Sequence, residues 1–148
     1  IVKTGSRLTA LASLLSVAGC APAAAPANGS AATGPSPVGV VWRAEDIGGG
    51  GIIDNSHVTL TLGSDGVASG GTNCNRYTAR YVLAGSRLTI AGIASTKRGC
   101  APALMHQEAR YVALLAQAAR WRIEAAGALV LTTAQGAPLR FLPDETPE

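Results

Sequence analysis

Short stretches in which hydrophobic and polar residues alternate recur between residues 38 and 142, and they predict a mainly β fold. The clearest stretch covers residues 58–62, where Val58, Leu60 and Leu62 lie on one face of an extended chain. Turn sequences rich in glycine and serine separate the stretches, as expected for hairpins of antiparallel strands. The predicted strands lie at residues 40–42, 58–62, 67–70, 77–81, 88–90, 121–123, 129–131 and 139–141.

One stretch has the periodicity of a helix instead. Residues 103–120 contain no glycine or proline and are rich in strong helix formers, and Pro102 suits the first turn of a helix. Apolar residues at helical spacing form a stripe that can cover a sheet. The stripe consists of Leu104, Tyr111, Val112, Leu115, Ala118 and Ala119. We therefore predict a mainly β (α+β) fold, a small β-barrel-like antiparallel sheet with one helix packed against it.

Glu108 lies inside this apolar stripe when residues are placed about 100° apart around the helix. Burying an unpaired carboxylate costs several kcal/mol, so Glu108 must be paired, hydrogen-bonded or in reach of water. The partners that we predict are backbone N–H groups of the loops at Cys74 or Thr96, or the side chain of Arg76. This reasoning favours a structural role for Glu108 over a role as general base or ligand contact.

The N-terminal residues have the pattern of an export signal. Lys3 and Arg7 precede an apolar run at residues 8–18, which is too short to span a bilayer. The small residues before Cys20 resemble the bacterial lipobox, in which the cysteine is lipidated and becomes the mature N-terminus. We predict lipidation of Cys20, with an ordinary cleaved signal peptide as the alternative. Inner-membrane lipoproteins typically carry aspartate after this cysteine, so Ala21 implies an outer-membrane lipoprotein that faces the periplasm.

Residues 21–37 contain no charge and no large apolar side chain, and they predict a disordered tether. The sequence thus divides into four parts. These are a signal peptide at 1–19, the lipidated cysteine and its tether at 20–37, a folded domain at 38–143, and an acidic tail at 144–148.

The net charge of +3 includes two basic residues of the predicted signal peptide. Without Lys3 and Arg7, ten basic residues face nine acidic ones, and no basic run interleaves with aromatic residues. Nucleic acid is therefore not a predicted partner.

Three cysteines leave two to be paired once Cys20 carries a lipid, and an oxidising compartment favours a bond between Cys74 and Cys100. Closing that loop stabilises the fold by about 3.5 kcal/mol in the chain-entropy model. One alternative is a metal site of Cys74, Cys100, His106 and Glu108, which lacks the paired spacing of metal ligands. The other is a catalytic thiol with His57 or His106 as its base. We predict the disulfide, no metal site and no cofactor.

The residues around these cysteines resemble the META domain, or HslJ-like, family in its bacterial lipoprotein form. The resemblance spans residues 38–142. It departs from the family at Asn73 and Ala79, where glycine is common, and at Arg98, where methionine is common. Asparagine tolerates the left-handed backbone that glycine allows. The matching residues are Trp42, Ser69-Gly70, Cys74-Asn75-Arg76-Tyr77, Leu88-Thr89-Ile90, Ser95-Thr96, Cys100, Met105 and Gln107-Glu108.

The resemblance implies a β-barrel-like sheet with one helix, and it supplies no catalytic residues. Members of the family are often exported lipoproteins linked to heat shock, to novobiocin resistance or, in parasites, to virulence and motility. We assign a structural motif to Asn73, Asn75, Arg76, Tyr77, Thr96 and Glu108.

The leading functional hypothesis is a non-enzymatic envelope lipoprotein that acts as a binding or interaction module in stress or antibiotic tolerance. Its predicted partners are the membrane, through the lipid, and an envelope protein or small ligand. One alternative is a barrel that holds a small apolar ligand, with Trp42 and Trp121 as candidate pocket residues. A second alternative is an enzyme centred on Glu108 with Tyr77 or His106. A filled interior favours a surface partner, whereas an apolar cavity that reaches either tryptophan favours the ligand.

Overall fold

The computed structural model describes residues 34–145, so the predicted signal peptide, Cys20 and most of the tether lie outside the described residues. Residues 34–145 form a closed antiparallel barrel of eight strands with one helix against it, which confirms the predicted fold class. The elements in chain order are β1 (Val41–Ile47), β2 (Thr59–Leu62), β3 (Val67–Gly71), β4 (Arg76–Ala84), β5 (Arg87–Ser95), α1 (Pro102–Ala116), β6 (Ala118–Ile123), β7 (Leu129–Thr133) and β8 (Pro138–Pro143).

Each strand pairs with the next one in the chain, and β8 pairs with β1 to close the barrel. Most of these pairs extend over three or more residues; β4 and β5, for example, pair from Tyr77 opposite Ser95 to Ala84 opposite Arg87, with a register shift between Thr78 and Arg80. The shortest pairing is that between β5 and β6, where Arg87 opposite Arg120 is the one residue pair in register. The chain between these two strands forms α1, which lies beside the rest of β5.

Inward-facing side chains fill the barrel, as the alternating pattern predicts and as a barrel of eight strands allows. Trp42 of β1 is 3% exposed, and its indole N–H donates to the Pro37 carbonyl oxygen at 2.8 Å. The remaining large core side chains include Ile47, Leu60, Leu62, Tyr77, Leu88, Leu129, Leu131, Leu139 and Phe141.

The helix begins at Pro102 as predicted, but it ends at Ala116, so the prediction of helix up to Arg120 is wrong for the last residues. Residues 118–120 belong to β6, where Ala118 pairs with Thr133 and Arg120 pairs with Thr132. Alanine and arginine favour helix locally, and the hydrogen bonds to β7 override this weak preference. The helix buries Gln107, Tyr111 and Leu115.

Candidate functional site

A disulfide joins Cys74, in the loop between β3 and β4, to Cys100, directly before α1. Their Cα atoms are 6.0 Å apart. The bond ties the segment between β5 and α1 to the start of β4. It also removes both thiols as metal ligands or nucleophiles, which takes the cysteines out of the alternative site with His106 and Glu108. Within residues 34–145, no group of three or more His, Cys, Asp or Glu side chains could hold a metal ion.

Asn75 is the centre of a hydrogen-bonded cluster beside the disulfide. Its buried amide Nδ2 donates to both carboxylate oxygens of Glu108, at 3.0 Å each. Its Oδ1 accepts hydrogen bonds from Thr96 Oγ1 at 2.8 Å and from the Arg98 backbone N–H at 2.7 Å. One side chain thus holds both α1 and the segment that follows β5, and we call Thr72, Asn75, Thr96 and Glu108 the Asn75 cluster.

Glu108 receives its second donor from Thr72, whose hydroxyl lies 2.5 Å from Oε2. The carboxylate is therefore hydrogen-bonded as predicted, but the predicted partners are wrong. Two backbone N–H groups of this loop have other acceptors, because Thr72 N–H donates to the Asn75 carbonyl oxygen and Asn75 N–H donates to Thr72 Oγ1. The side chain of Arg76 is exposed and does not bond Glu108; its backbone N–H donates to Thr96 Oγ1 at 3.1 Å.

Asn73 lies at the exposed tip of the same loop with a φ of 70°, the left-handed conformation that the sequence predicts for a residue in place of glycine. Its side-chain oxygen accepts the backbone N–H of His57 at 3.2 Å.

Tyr77 points into the barrel and takes no part in the Asn75 cluster. Its hydroxyl donates to the Thr59 carbonyl oxygen at 2.8 Å and lies 2.7 Å from the hydroxyl of Tyr111 on α1. The two rings meet edge to face with centroids 5.8 Å apart. Burial raises the pKa of both tyrosines above the ordinary value of 10.0.

These raised pKa values predict that the protein loses stability in alkali. Below pH 10 both hydroxyls are protonated in the folded and the unfolded chain. Above pH 10 the tyrosines of the unfolded chain release their protons while those of the folded chain keep them. The free energy of unfolding therefore falls by about 1.4 kcal/mol per pH unit for each tyrosine. Tyr111→Phe should lower the free energy of unfolding by about 1 kcal/mol at neutral pH. It should also make the fall of this free energy above pH 10 less steep. Urea denaturation across this pH range measures both effects, and equal alkaline slopes for the two proteins would contradict the prediction.

An open groove of about 570 Å³ lies next to the Asn75 cluster, and we call it the α1–β5 groove. Its helical wall is largely apolar, with Met105, Ala109, Val112 and Ala113. The opposite wall is formed by the end of β5 and the segment after it. The residues of that wall are Ser95, Lys97, Arg98 and Gly99, and Asn75 and Glu108 complete the lining.

The two candidate pocket residues do not line this groove. Trp42 is part of the barrel core, and Trp121 on β6 is half-buried, with its indole N–H donating to the Gly85 carbonyl oxygen at 2.8 Å. His106 is exposed on α1. The structure thus separates Trp42 from Trp121, which were predicted to share a pocket, and it leaves His106 outside the Asn75 cluster.

Gln107 has a structural function that the sequence analysis did not assign to it. Its Oε1 accepts the backbone N–H of Ile53 at 2.7 Å, and its Nε2 donates to Ser56 Oγ at 3.0 Å. The buried amide therefore fixes α1 to the loop after β1. Periodicity alone could not reveal this contact, because a glutamine beside the apolar stripe has the pattern of an exposed residue.

No helix in the described part of the chain is both long and apolar enough to cross a membrane.

Comparison with known proteins relates this chain to one family. An NMR structure of a protein from Burkholderia xenovorans is similar, with a TM-score of 0.59 and 24% identity over 79% of this chain and 96% of that one. A second protein solved by NMR has a TM-score of 0.57 and 25% identity over 70% of this chain and 88% of that one. No curated protein matches at a significant level. The sequence profile of the META domain matches residues 37–146, and the chain belongs to the META domain family.

Proposed function

We propose that this protein is a non-enzymatic binding module, held at the outer membrane by a lipid on Cys20, and that it contributes to stress or antibiotic tolerance. The observation that carries this proposal is the contrast between the barrel interior and its outside. Buried side chains fill the interior, while the α1–β5 groove of about 570 Å³ is open to a partner. The binding surface is then the groove and not the inside of the barrel.

The filled interior also weighs against a small apolar ligand inside the barrel. A ligand that reached Trp42 would have to displace side chains that pack around an indole ring only 3% exposed. Removing such side chains from a packed core is costly.

The contacts of Glu108 support a non-enzymatic role. Thr72 and Asn75 hold both of its carboxylate oxygens, while the Tyr77 hydroxyl lies inside the barrel and is bonded to Thr59. A general base needs an oxygen directed at a substrate proton. In this cluster the carboxylate oxygens are directed at donors of the protein itself.

The proposed location rests on the sequence of residues 1–37 and agrees with the disulfide. A basic start, a short apolar run and Cys20 resemble an export signal of a lipoprotein, and residues 21–37 are long enough to separate the lipid from the barrel. Oxidised Cys74 and Cys100 suit a compartment outside the cytoplasm.

The test places a photocrosslinking amino acid at Met105, which is 48% exposed on the groove wall, and irradiates intact cells. The same amino acid at Val82 is the matched control, because Val82 is 65% exposed on β4 and does not line the groove. We expect intact mass spectrometry of membrane fractions to find a lipid on a chain that begins at Cys20 in both samples. A crosslinked adduct should form at Met105 and not at Val82.

Two results would count against the proposal, and they fall on different parts of it. A chain without lipid would contradict the location. Equal crosslinking at the two positions, or none at either, would contradict binding in the groove.

A further inference from the structure

We propose that the α1–β5 groove binds an extended acidic peptide segment of an envelope protein, which adds to the edge of β5 as a further strand. This inference rests on the proposed function, because it names the class of ligand for the same groove. Three properties of the groove support it, namely an open strand edge, an apolar wall and a separation of charge.

The edge of β5 has no paired strand at its end, where Ser95 is accessible from the groove. Arg87 opposite Arg120 is the one pair in register with β6, although β5 extends to Ser95. The backbone N–H of Thr96 donates to the Arg76 carbonyl oxygen on β4. Because backbone groups of successive residues in a strand point to opposite sides, the N–H and C=O groups of Ser95 point away from β4. Ser95 also lines the groove. An unpaired edge of this kind is the template that extended peptides use when they join a sheet.

The accessible part of this edge is short. Ile90, near the middle of β5, is only 2% exposed, and the pairing of β4 with β5 shifts register between Ala91 and Ala94. The edge that a peptide can reach is therefore the end of β5 at Ser95, which lines the groove.

The helix supplies the second wall of the groove at the right place. It follows β5 in the chain and contacts it, and the groove lies between the helix and the end of β5. Met105, Ala109 and Val112 give this wall an apolar surface. In an added strand, alternate side chains would face this wall and the others would face solvent.

Charge is strongly separated along the chain and favours an acidic partner. Residues 66–107 contain no aspartate or glutamate, but they contain five basic residues, all exposed. The rest of residues 34–145 contains five arginines and eight acidic residues. The ion pairs of arginines in the described part of the chain involve Arg122 and Arg140 and none of these five. The five are Arg76, Arg80, Arg87, Lys97 and Arg98.

Two of these residues, Lys97 and Arg98, line the groove at the end of β5. Glu108 also lines the groove, but its carboxylate accepts hydrogen bonds from Thr72 and Asn75. A peptide with acidic residues at alternate positions would place its carboxylates beside Lys97 and Arg98. An anionic lipid surface would also attract these cations, but it has no backbone to pair with β5, so the peptide accounts for more of the observations.

The experiment measures binding of a fluorescent, end-capped peptide in which glutamate and valine alternate, by anisotropy with the purified protein. We expect saturable binding that weakens as salt is added. Lys97→Glu with Arg98→Glu should weaken binding about tenfold or more, whereas Arg43→Glu on β1 should leave it unchanged. The same peptide with lysine in place of glutamate should not bind.

Position 95 tests the strand pairing separately from the charge. Ser95→Pro removes the backbone N–H that faces the groove, at a strand edge where proline is tolerated. Ser95→Ala keeps that N–H and is the matched control. We expect Ser95→Pro to weaken peptide binding about fivefold and Ser95→Ala to leave it unchanged. A thermal unfolding curve for each variant shows whether the barrel is intact.

Equal binding by the Ser95→Pro and Ser95→Ala proteins, or no effect of the charge reversal, would overturn the inference. Binding to anionic phosphatidylglycerol vesicles in place of the peptide, lost with Lys97→Glu and Arg98→Glu, would overturn it in favour of a membrane surface. If the peptide fails but Met105 still crosslinks in cells, this inference falls and the proposed function stands. If both fail, the groove is not a binding site.

Discussion

Replacing Asn75 with aspartate should lower the free energy of unfolding by about 4 kcal/mol at neutral pH. The amide Nδ2 of Asn75 lies 3.0 Å from each carboxylate oxygen of Glu108, and the variant puts a carboxylate oxygen in its place. Two hydrogen bonds are lost and two like charges face each other in a half-buried site. Urea denaturation of the oxidised protein measures the change.

Three comparisons separate this effect from a general loss of folding. Asn73→Asp makes the same chemical change at the exposed tip of the same loop, and it should cost less than about 0.5 kcal/mol. Adding Glu108→Gln to the Asn75→Asp protein restores a donor and should recover about 2 kcal/mol. At acidic pH one of the two carboxyl groups takes up a proton and can donate again, so the deficit should shrink. If the deficit stayed constant from neutral to acidic pH, repulsion between the carboxylates would not be its cause.

The fold could be predicted from the sequence because each strand is marked by local alternation and each turn by its own residues. Val58, Leu60 and Leu62 are all fully buried, as their spacing requires. The end of α1 could not be found in this way. Nothing local distinguishes Ala118 from the alanines of the helix, and only the pairing with Thr133 of β7 places it in a strand.

The site could be predicted in part, for a similar reason. The charge of Glu108 in an apolar stripe requires a partner, and the sequence analysis placed that partner near Cys74. The donors themselves lie 36 and 33 residues away, at Thr72 and Asn75, and both bond Glu108 through their side chains, which helical spacing alone does not show. The open edge of β5 likewise depends on where α1 packs, which no local pattern records.

The structural and binding roles of this region support each other. The disulfide and Asn75 both fix the segment at residues 96–100, and that segment carries Lys97 and Arg98 at the groove. A mobile segment would lose conformational entropy each time a partner bound, and this loss would weaken binding. Holding it in place before binding lowers that cost. The Asn75 cluster can thus serve binding without contact between Glu108 and a ligand.

Replacing Gly70 with alanine should destabilise the barrel by at least about 3 kcal/mol. A Cβ atom at Gly70 would lie 2.0 Å from the Thr59 carbonyl oxygen and 2.8 Å from the Tyr77 hydroxyl. Neither the Thr59 carbonyl oxygen nor the Tyr77 side chain can move away without breaking the hydrogen bond between them. This glycine in β3 therefore marks a close approach between β2 and β3, and not a flexible point in the chain.

Gly71→Ala provides the matched control, since the same methyl group one residue later meets its nearest neighbour, Thr59 Oγ1, at 3.7 Å. That is ordinary contact, so the stability of the Gly71→Ala protein should stay within about 0.5 kcal/mol of the original or rise slightly as the unfolded chain loses freedom. Thermal and urea unfolding of the two proteins measure the difference. Equal losses would mean that any side chain in this part of β3 is harmful. A harmless Gly70→Ala would mean that β2 and β3 can separate without disturbing the tyrosine pair, and the packing of Tyr77 against Thr59 would then contribute little to the barrel.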